Sequence, residues 1–167
     1  MSHHGELLAQ AWHLLNREPK HPKQASLRRA ISSAYYAVFH LLLDEATRLM
    51  IPNNQLRPLA RRAFDHGEMR RAADLFKQGT LPANLKNALG STAIVPADLQ
   101  TVARSFSRLQ AERQTADYDL SVSFTRLATH GLVQEADNAF VAWNRIRKDP
   151  VAESFLIALL LVRRWDR

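Results

Sequence analysis

The sequence predicts an all-α fold, an antiparallel bundle of five to six helices, and three observations carry that prediction. Apolar residues recur near the 3.6-residue period in every long segment, and stretches bearing Pro or Gly separate those segments. No run alternates apolar and polar residues as a half-buried strand would. The chain has 167 residues, of which 46 % are hydrophobic and 23 % charged, enough for one packed domain and too few for two comfortable ones. The bundle is expected over residues 1–148, with 149–167 as an additional helix packed on the same domain or in a dimer interface.

A first helix is expected over 5–16, where Leu7, Leu8, Ala11, Leu14 and Leu15 share one face. His3 and His4, ahead of it, read as a flexible tail rather than a metal site. Pro19 and Pro22 then interrupt the chain. A second helix follows over 24–50, with Leu27, Ala30, Ile31, Ala34, Tyr35, Val38, Leu41 and Leu42 on one stripe and Tyr36, Phe39 and Leu43 on a neighbouring one. So wide an apolar arc implies burial among several helices. IPNNQ (51–55) is a turn cluster, and Pro58 suits the first turn of a third helix running to about 78, the most arginine-rich of all.

Residues 79–96 (GTLPANLKNALGSTAIVP) show no sustained period and read as a long loop with a short helical turn at 84–89. A fourth helix opens near 96–98 and ends near 118. A fifth starts around 121–123 and ends near 148, with Leu132, Ala136, Ala139, Phe140, Trp143 and Ile146 facing inward. Asp149 followed by Pro150 is a cap-then-proline start signal for a terminal helix reaching about 165. Its FLIALLLV run (155–162) is apolar all round, so it should be buried in the core or shared between subunits; it is far short of the ~20 residues that span a bilayer.

Lys and Arg number 23 against 16 Asp and Glu, a formal charge of +7, which points towards nucleic acid as a partner class. The absence of cysteine excludes disulfides, thiolate metal sites and a cysteine nucleophile, and fits a cytoplasmic setting with no membrane. There is no GxxxxGK[ST], GxGxxG, HExxH or GxSxG, so phosphate-loop, dinucleotide, zinc-protease and hydrolase-elbow chemistry have no support. No cofactor and no metal are expected.

Two stretches hold the candidate chemistry. In ERQTADYD (112–119), heptad spacing carries the apolar positions Leu99, Val102, Phe106 and Leu109 straight onto Arg113. An arginine at a core position requires a partner: Asp117 one turn on, or Asp44 or Glu45 of the second helix. Asp117 follows its arginine, the weaker i,i+4 order, near a helix C-terminus where an acid opposes the dipole, so it is poorly placed as a mere helix stabiliser. In RRAFDHGEMRR (61–71), Arg61 or Arg62 with His66 could serve a site, or the segment is a solvated basic face on which Arg62 and His66 are plain i,i+4 neighbours. Tyr35 and Tyr36 point to adjacent faces, one to the core and the other towards a groove that His40 could join.

RRAISSAYYAVFHLLLDEA (28–46), followed by FSRLQAERQTADYD (106–119) and a closing amphipathic helix, resembles the HEPN superfamily of nucleotide-binding helical domains, in particular a prokaryotic branch with AYYA and RxxADY motifs. The resemblance spans roughly 7–148. It implies a helical bundle, commonly a homodimer, that binds or cuts RNA and often pairs with a nucleotidyltransferase-like partner in toxin–antitoxin systems. The family's RNase motif is an arginine, a polar residue and a histidine four to six residues beyond the arginine. Arg113 and Gln114 match the first two, but Tyr118 stands where the histidine is expected. Imidazole titrates near neutrality whereas a phenol does so near ~10, so the departure argues against turnover.

The leading expectation is therefore a HEPN-like RNA- or nucleotide-binding module with weak or no catalysis, its candidate site formed by Arg113, Asp117, Tyr118, Tyr36, His40, Arg61 and Arg62. Two alternatives stand beside it. One is a metal-independent endoribonuclease toxin in which Arg113 works with a histidine from elsewhere, His66 or His40. The other is a protein-interaction bundle that touches no nucleic acid.

Overall fold

The computed structural model describes residues 2–164 and shows α1 (His3–Asn16), α2 (Gln24–Met50), α3 (Arg57–Arg61), α4 (His66–Phe76), α5 (Ala83–Leu89), α6 (Ala97–Tyr118), α7 (Arg126–Ile146) and α8 (Pro150–Leu161), followed by a 3₁₀ turn at Val162–Arg164. The chain is all-α, with no strand among the described residues. Over that same span, eight α-helices stand where five or six are expected. The excess comes from two places: the short helix inside the long loop is a full α5, and the single third helix expected over 58–78 is two.

The break between α3 and α4 has a local cause. Phe64 turns into the core, and Asp65 adopts an extended backbone (φ −107°, ψ 134°) from which its carboxylate accepts the amides of Gly67 (2.9 Å) and Glu68 (3.1 Å). An aspartate cap ends one helix and begins another, so Arg62 and His66 are not neighbours on a helix face as the sequence spacing implied. The start of α1 is a second correction. Ser2 caps it at the amide of Gly5 (3.3 Å), so His3 and His4 lie within its first turn and are no loose tail. The Asp149–Pro150 signal holds, with the aspartate accepting the amide of Val151 at 2.7 Å.

Two compact units are present, one of Met1–Leu41 with Ser105–Phe140 and one of Leu42–Arg104 with Val141–Arg167. The first is built from α1, the N-terminal part of α2, the C-terminal part of α6 and most of α7. Leu8, Ala11 and Leu15 of α1 are buried there, as are Leu27, Ile31, Tyr35 and Val38 of α2, Phe106 and Leu109 of α6, and Leu132, Val133 and Ala136 of α7. Polar pins cross this core at its rim: Trp12 donates to Asp137 (3.0 Å), and Arg108 pairs with Glu135 (3.0 Å).

In the second unit α8 lies against α4, where Phe155 meets Phe76 with ring centroids 5.1 Å apart. Val151, Ala152, Phe155, Leu156, Ala158 and Leu159 are buried, so one side of the FLIALLLV run packs within the chain, while Ile157, Leu160 and Leu161 are half-buried. The expected end of that helix at 165 lies outside the described residues. No described helix is long and apolar enough to cross a membrane.

Candidate functional site

Within the first unit, one row of α2 holds the end of α6. Gln24, Arg28, Ser32 and Tyr36 stand four residues apart, along a ridge of the helix. The Gln24 amide brackets Phe124, donating to its carbonyl (2.7 Å) and accepting its N–H (2.9 Å). Arg28 donates to the carbonyls of Ala116 (2.8 Å) and Asp119 (3.0 Å) and also to that of Val122, and its guanidinium lies 5.4 Å from the Phe124 ring centroid. A helix end leaves its last carbonyls without intrahelical donors, and a cation there also meets the negative end of the helix dipole. Arg28 thus closes α6 and orients the turn that follows it.

One turn along α2, Ser32 donates to Asp117 Oδ1 at 2.5 Å. The other carboxylate oxygen, Oδ2, is 2.7 Å from Arg113 Nε, and Arg113 Nη2 donates to the Tyr36 hydroxyl at 2.6 Å. The Nε–H points off the carboxylate and is left without a hydrogen bond, so that contact is an ion pair by proximity. Arg113 and Asp117 side chains are 19 % and 18 % exposed, mostly out of water, where an uncompensated charge would be costly. The rings of Tyr35, Tyr36 and Tyr118 surround the guanidinium at 5.9, 5.2 and 5.6 Å. Burial disfavours the charge on Arg113, but the Tyr36 oxygen and the carboxylate of Asp117 outweigh it and hold its pKa above the ordinary arginine value. The guanidinium is a permanent cation.

Of the three acids considered for Arg113, the structure selects Asp117. Asp44 pairs instead with Arg61 (2.6 Å), and Glu45 with Arg147 (3.1 Å), both in the second unit. Tyr35 is fully buried beside Phe106, while Tyr36 is half-buried and turns its hydroxyl to Arg113. Tyr118 is 74 % exposed although its ring covers the arginine. His40 sits with its ring centroid 6.4 Å from that of Tyr36 and 4.9 Å from that of His3. No third His, Asp or Glu joins a metal-holding group among the described residues.

His66, Arg61 and Arg62 belong to the second unit. His66 is the exposed first residue of α4, Arg61 is tied to Asp44, and Arg62 is exposed. Two cavities open beside the Arg113 cluster instead. One of about 400 Å³ is lined by Arg28, Arg29, Asp117, Tyr118 and Leu120, and one of about 410 Å³ by Gln10, Arg29, Ser32, Ser33 and Tyr36 among others. Arg29 lines both, and Arg113 lines neither.

Gln24, Arg28, Arg29 and Ser32 were not singled out by sequence reasoning. The contacts of Gln24, Arg28 and Ser32 reach across 85 or more residues to the end of α6 and the turn beyond it, past any local pattern. A readable trace does exist: a row of polar residues at four-residue steps running beside the apolar arc of the same helix. Comparison with family models, with curated proteins and with solved structures finds no match for this chain.

Proposed function

We propose that the chain is a HEPN-like module that binds RNA or a nucleotide with little or no turnover, acting as a homodimer in the cytoplasm and pairing with a nucleotidyltransferase-like protein in a toxin–antitoxin system. The observation that carries the reading is the state of Arg113. Asp117 and Tyr36 already hold this arginine, and the exposed side chain five residues on is a phenol rather than an imidazole. Such a cluster is suited to positioning a ligand. It lacks a group that exchanges a proton readily near neutral pH, which metal-independent RNA cleavage requires. His40 is held in the same unit by ring contacts with His3 and Tyr36, and His66 stands in the other unit.

The test combines fluorescence anisotropy on a labelled single-stranded RNA with a gel assay for its degradation. Wild-type protein is expected to bind, with affinity falling steeply as salt rises, and to leave the RNA intact. Arg113→Ala should weaken binding while the far-ultraviolet circular dichroism stays helical. Tyr118→His, which restores the imidazole of the family motif, should raise cleavage above the wild-type level. Robust cleavage by the wild type would replace this reading with the ribonuclease alternative. Arg113→Ala collapsing the fold, with no binding to lose, would make the cluster purely structural.

A further inference from the structure

From the two cavities we infer that the phosphate of a bound nucleotide unit is held by Arg29, that its base stacks on Tyr118, and that Arg113 touches neither. This rests on the nucleotide-binding reading above and changes which residues meet the ligand. Arg29 is exposed, has no hydrogen-bond or ion-pair partner among the described residues, and stands on the wall shared by the 400 and 410 Å³ cavities. Its fork is free to take two phosphate oxygens, the geometry guanidinium favours. Neighbouring Arg28 is not: its donors are spent on the carbonyls at the end of α6.

Tyr118 lines the same cavity as Arg29 and keeps 74 % of its surface open. An exposed tyrosine normally swings freely. Here the guanidinium of Arg113 lies 5.6 Å from the ring centroid, and a cation against a π-face holds the ring without hydrogen bonds. The remaining surface of the ring is a platform of the kind on which single bases stack irrespective of sequence. Asp117 also lines this cavity, and a bare carboxylate would repel a phosphate. Arg113 at 2.7 Å and the Ser32 hydroxyl at 2.5 Å offset that charge, so the cavity is positive through Arg28, whose partners are uncharged carbonyls, and Arg29, the one of the two with donors to spare. Arg113 is thus a positioning residue, acting through Tyr118 and Asp117.

The ligand chemistry is a nucleoside monophosphate unit, whether free or within an RNA strand. Binding of a short fluorescein-labelled oligouridylate is measured by anisotropy over a salt series, with adenosine monophosphate and inorganic phosphate as competitors, for wild type, Arg29→Ala, Arg29→Lys, Tyr118→Phe and Tyr118→Ala. Arg29→Ala should keep the wild-type melting temperature, lose tenfold or more in affinity, and flatten the salt slope by about 0.7, the value of one phosphate contact on a single strand. Arg29→Lys should restore the slope but only part of the affinity. Tyr118→Phe should bind like wild type, and Tyr118→Ala roughly tenfold more weakly with an unchanged slope, because stacking releases no counterions.

Displacement of the oligonucleotide by adenosine monophosphate assigns the site to the free nucleotide; failure to displace it assigns the site to the strand. Either result, with the Arg29 and Tyr118 effects, supports the inference. Wild-type binding that is indifferent to Arg29→Ala in both affinity and slope overturns it while leaving the nucleotide-binding reading intact. A wild type that binds neither probe overturns both.

Discussion

The end of α6 and the arginine-rich α3–α4 segment both look, by charge alone, like places for a polyanion. Their cations are used differently. Along α3–α4, Arg57 donates to the carbonyl of Ile51 (2.9 Å), Arg61 pairs with Asp44 (2.6 Å), Arg71 with Glu68 (3.4 Å) and Lys77 with Asp74 (2.6 Å). Of the six cations from Arg57 to Lys77, only Arg62 has no hydrogen-bond or ion-pair partner among the described residues, and it lines neither of the two cavities beside the Arg113 cluster. Near the end of α6, Arg28 and Arg113 are likewise engaged by carbonyls, a carboxylate and a phenol, yet those contacts shape two cavities whose shared wall carries the unpaired Arg29. Arginine density therefore misleads as a guide to binding. What matters is which guanidinium remains free on the wall of a cavity once the fold has taken the donors it needs.

The largest effect that would break this comparison is expected at Arg28. Arg28→Ala removes a charged donor from the carbonyls of Ala116, Asp119 and Val122 and frees the turn after α6. Hydrogen bonds from a charged group contribute roughly 1.5–3 kcal/mol, so the loss should be about 3 kcal/mol in urea denaturation. Arg28→Lys should recover little, since one ammonium cannot reach carbonyls spread over that turn. A change below about 1 kcal/mol would mean that α6 is closed by something other than α2.

Next comes the ion pair. Arg113 continues the stripe of Leu99, Val102, Phe106 and Leu109, all fully buried, so a leucine there suits the packing. Arg113→Leu alone leaves Asp117 mostly buried with only Ser32, and should cost about 2 kcal/mol. Arg113→Leu with Asp117→Asn should cost less than about 1 kcal/mol, because no charge is then stranded. Both variants should bind oligouridylate poorly, having lost the clamp on Tyr118. If the double variant binds like wild type, Tyr118 needs no clamp and Arg113 is no positioning residue.

These two regions also mark how much could be read in advance. The periodicity of 24–50 and the apolar stripe ending at Arg113 were legible because helices repeat locally: every stripe residue named on α2 between Leu27 and Leu42 is buried. Asp117 was legible as one of three candidate partners, being one turn away. The division of α3 from α4 was not, since Asp65 inside an arginine-rich run reads as one more surface charge until its carboxylate is seen on the amides of Gly67 and Glu68. Nor could spacing show that Ser32 meets Asp117 across 85 residues, or that Asp44 and Glu45 go to other arginines. Pairing across the fold is settled by packing, which a one-dimensional pattern does not contain.

A smaller effect is expected on the basic segment. Arg61 keeps 41 % of its side chain exposed, and half-exposed ion pairs contribute at most about 1 kcal/mol. Arg61→Ala should lower stability within that bound and leave oligouridylate affinity and its salt slope unchanged. A slope flattened as much as by Arg29→Ala would put α3 back among the phosphate contacts and erase the contrast between the two regions.

The smallest effect concerns Asp119, the closing residue of the stretch ERQTADYD. Asp119 accepts from the hydroxyl (2.5 Å) and the amide (2.9 Å) of Ser121, and the Ser121 hydroxyl, then its amide, pull the carboxyl below the usual aspartate value of 3.8. A carboxyl that holds its proton less tightly in the folded chain than in the unfolded one stabilises the fold above the unfolded pKa, and that contribution fades as pH falls through the folded one. Wild type should therefore exceed Asp119→Asn in urea midpoint at pH 7, with the gap closing below about pH 4 as the carboxylate is protonated. Asparagine still accepts from the Ser121 amide, so the gap measures the charge and not the turn. A gap that is constant from pH 7 to pH 3 would show that the charge of Asp119 contributes nothing to the stability of the fold.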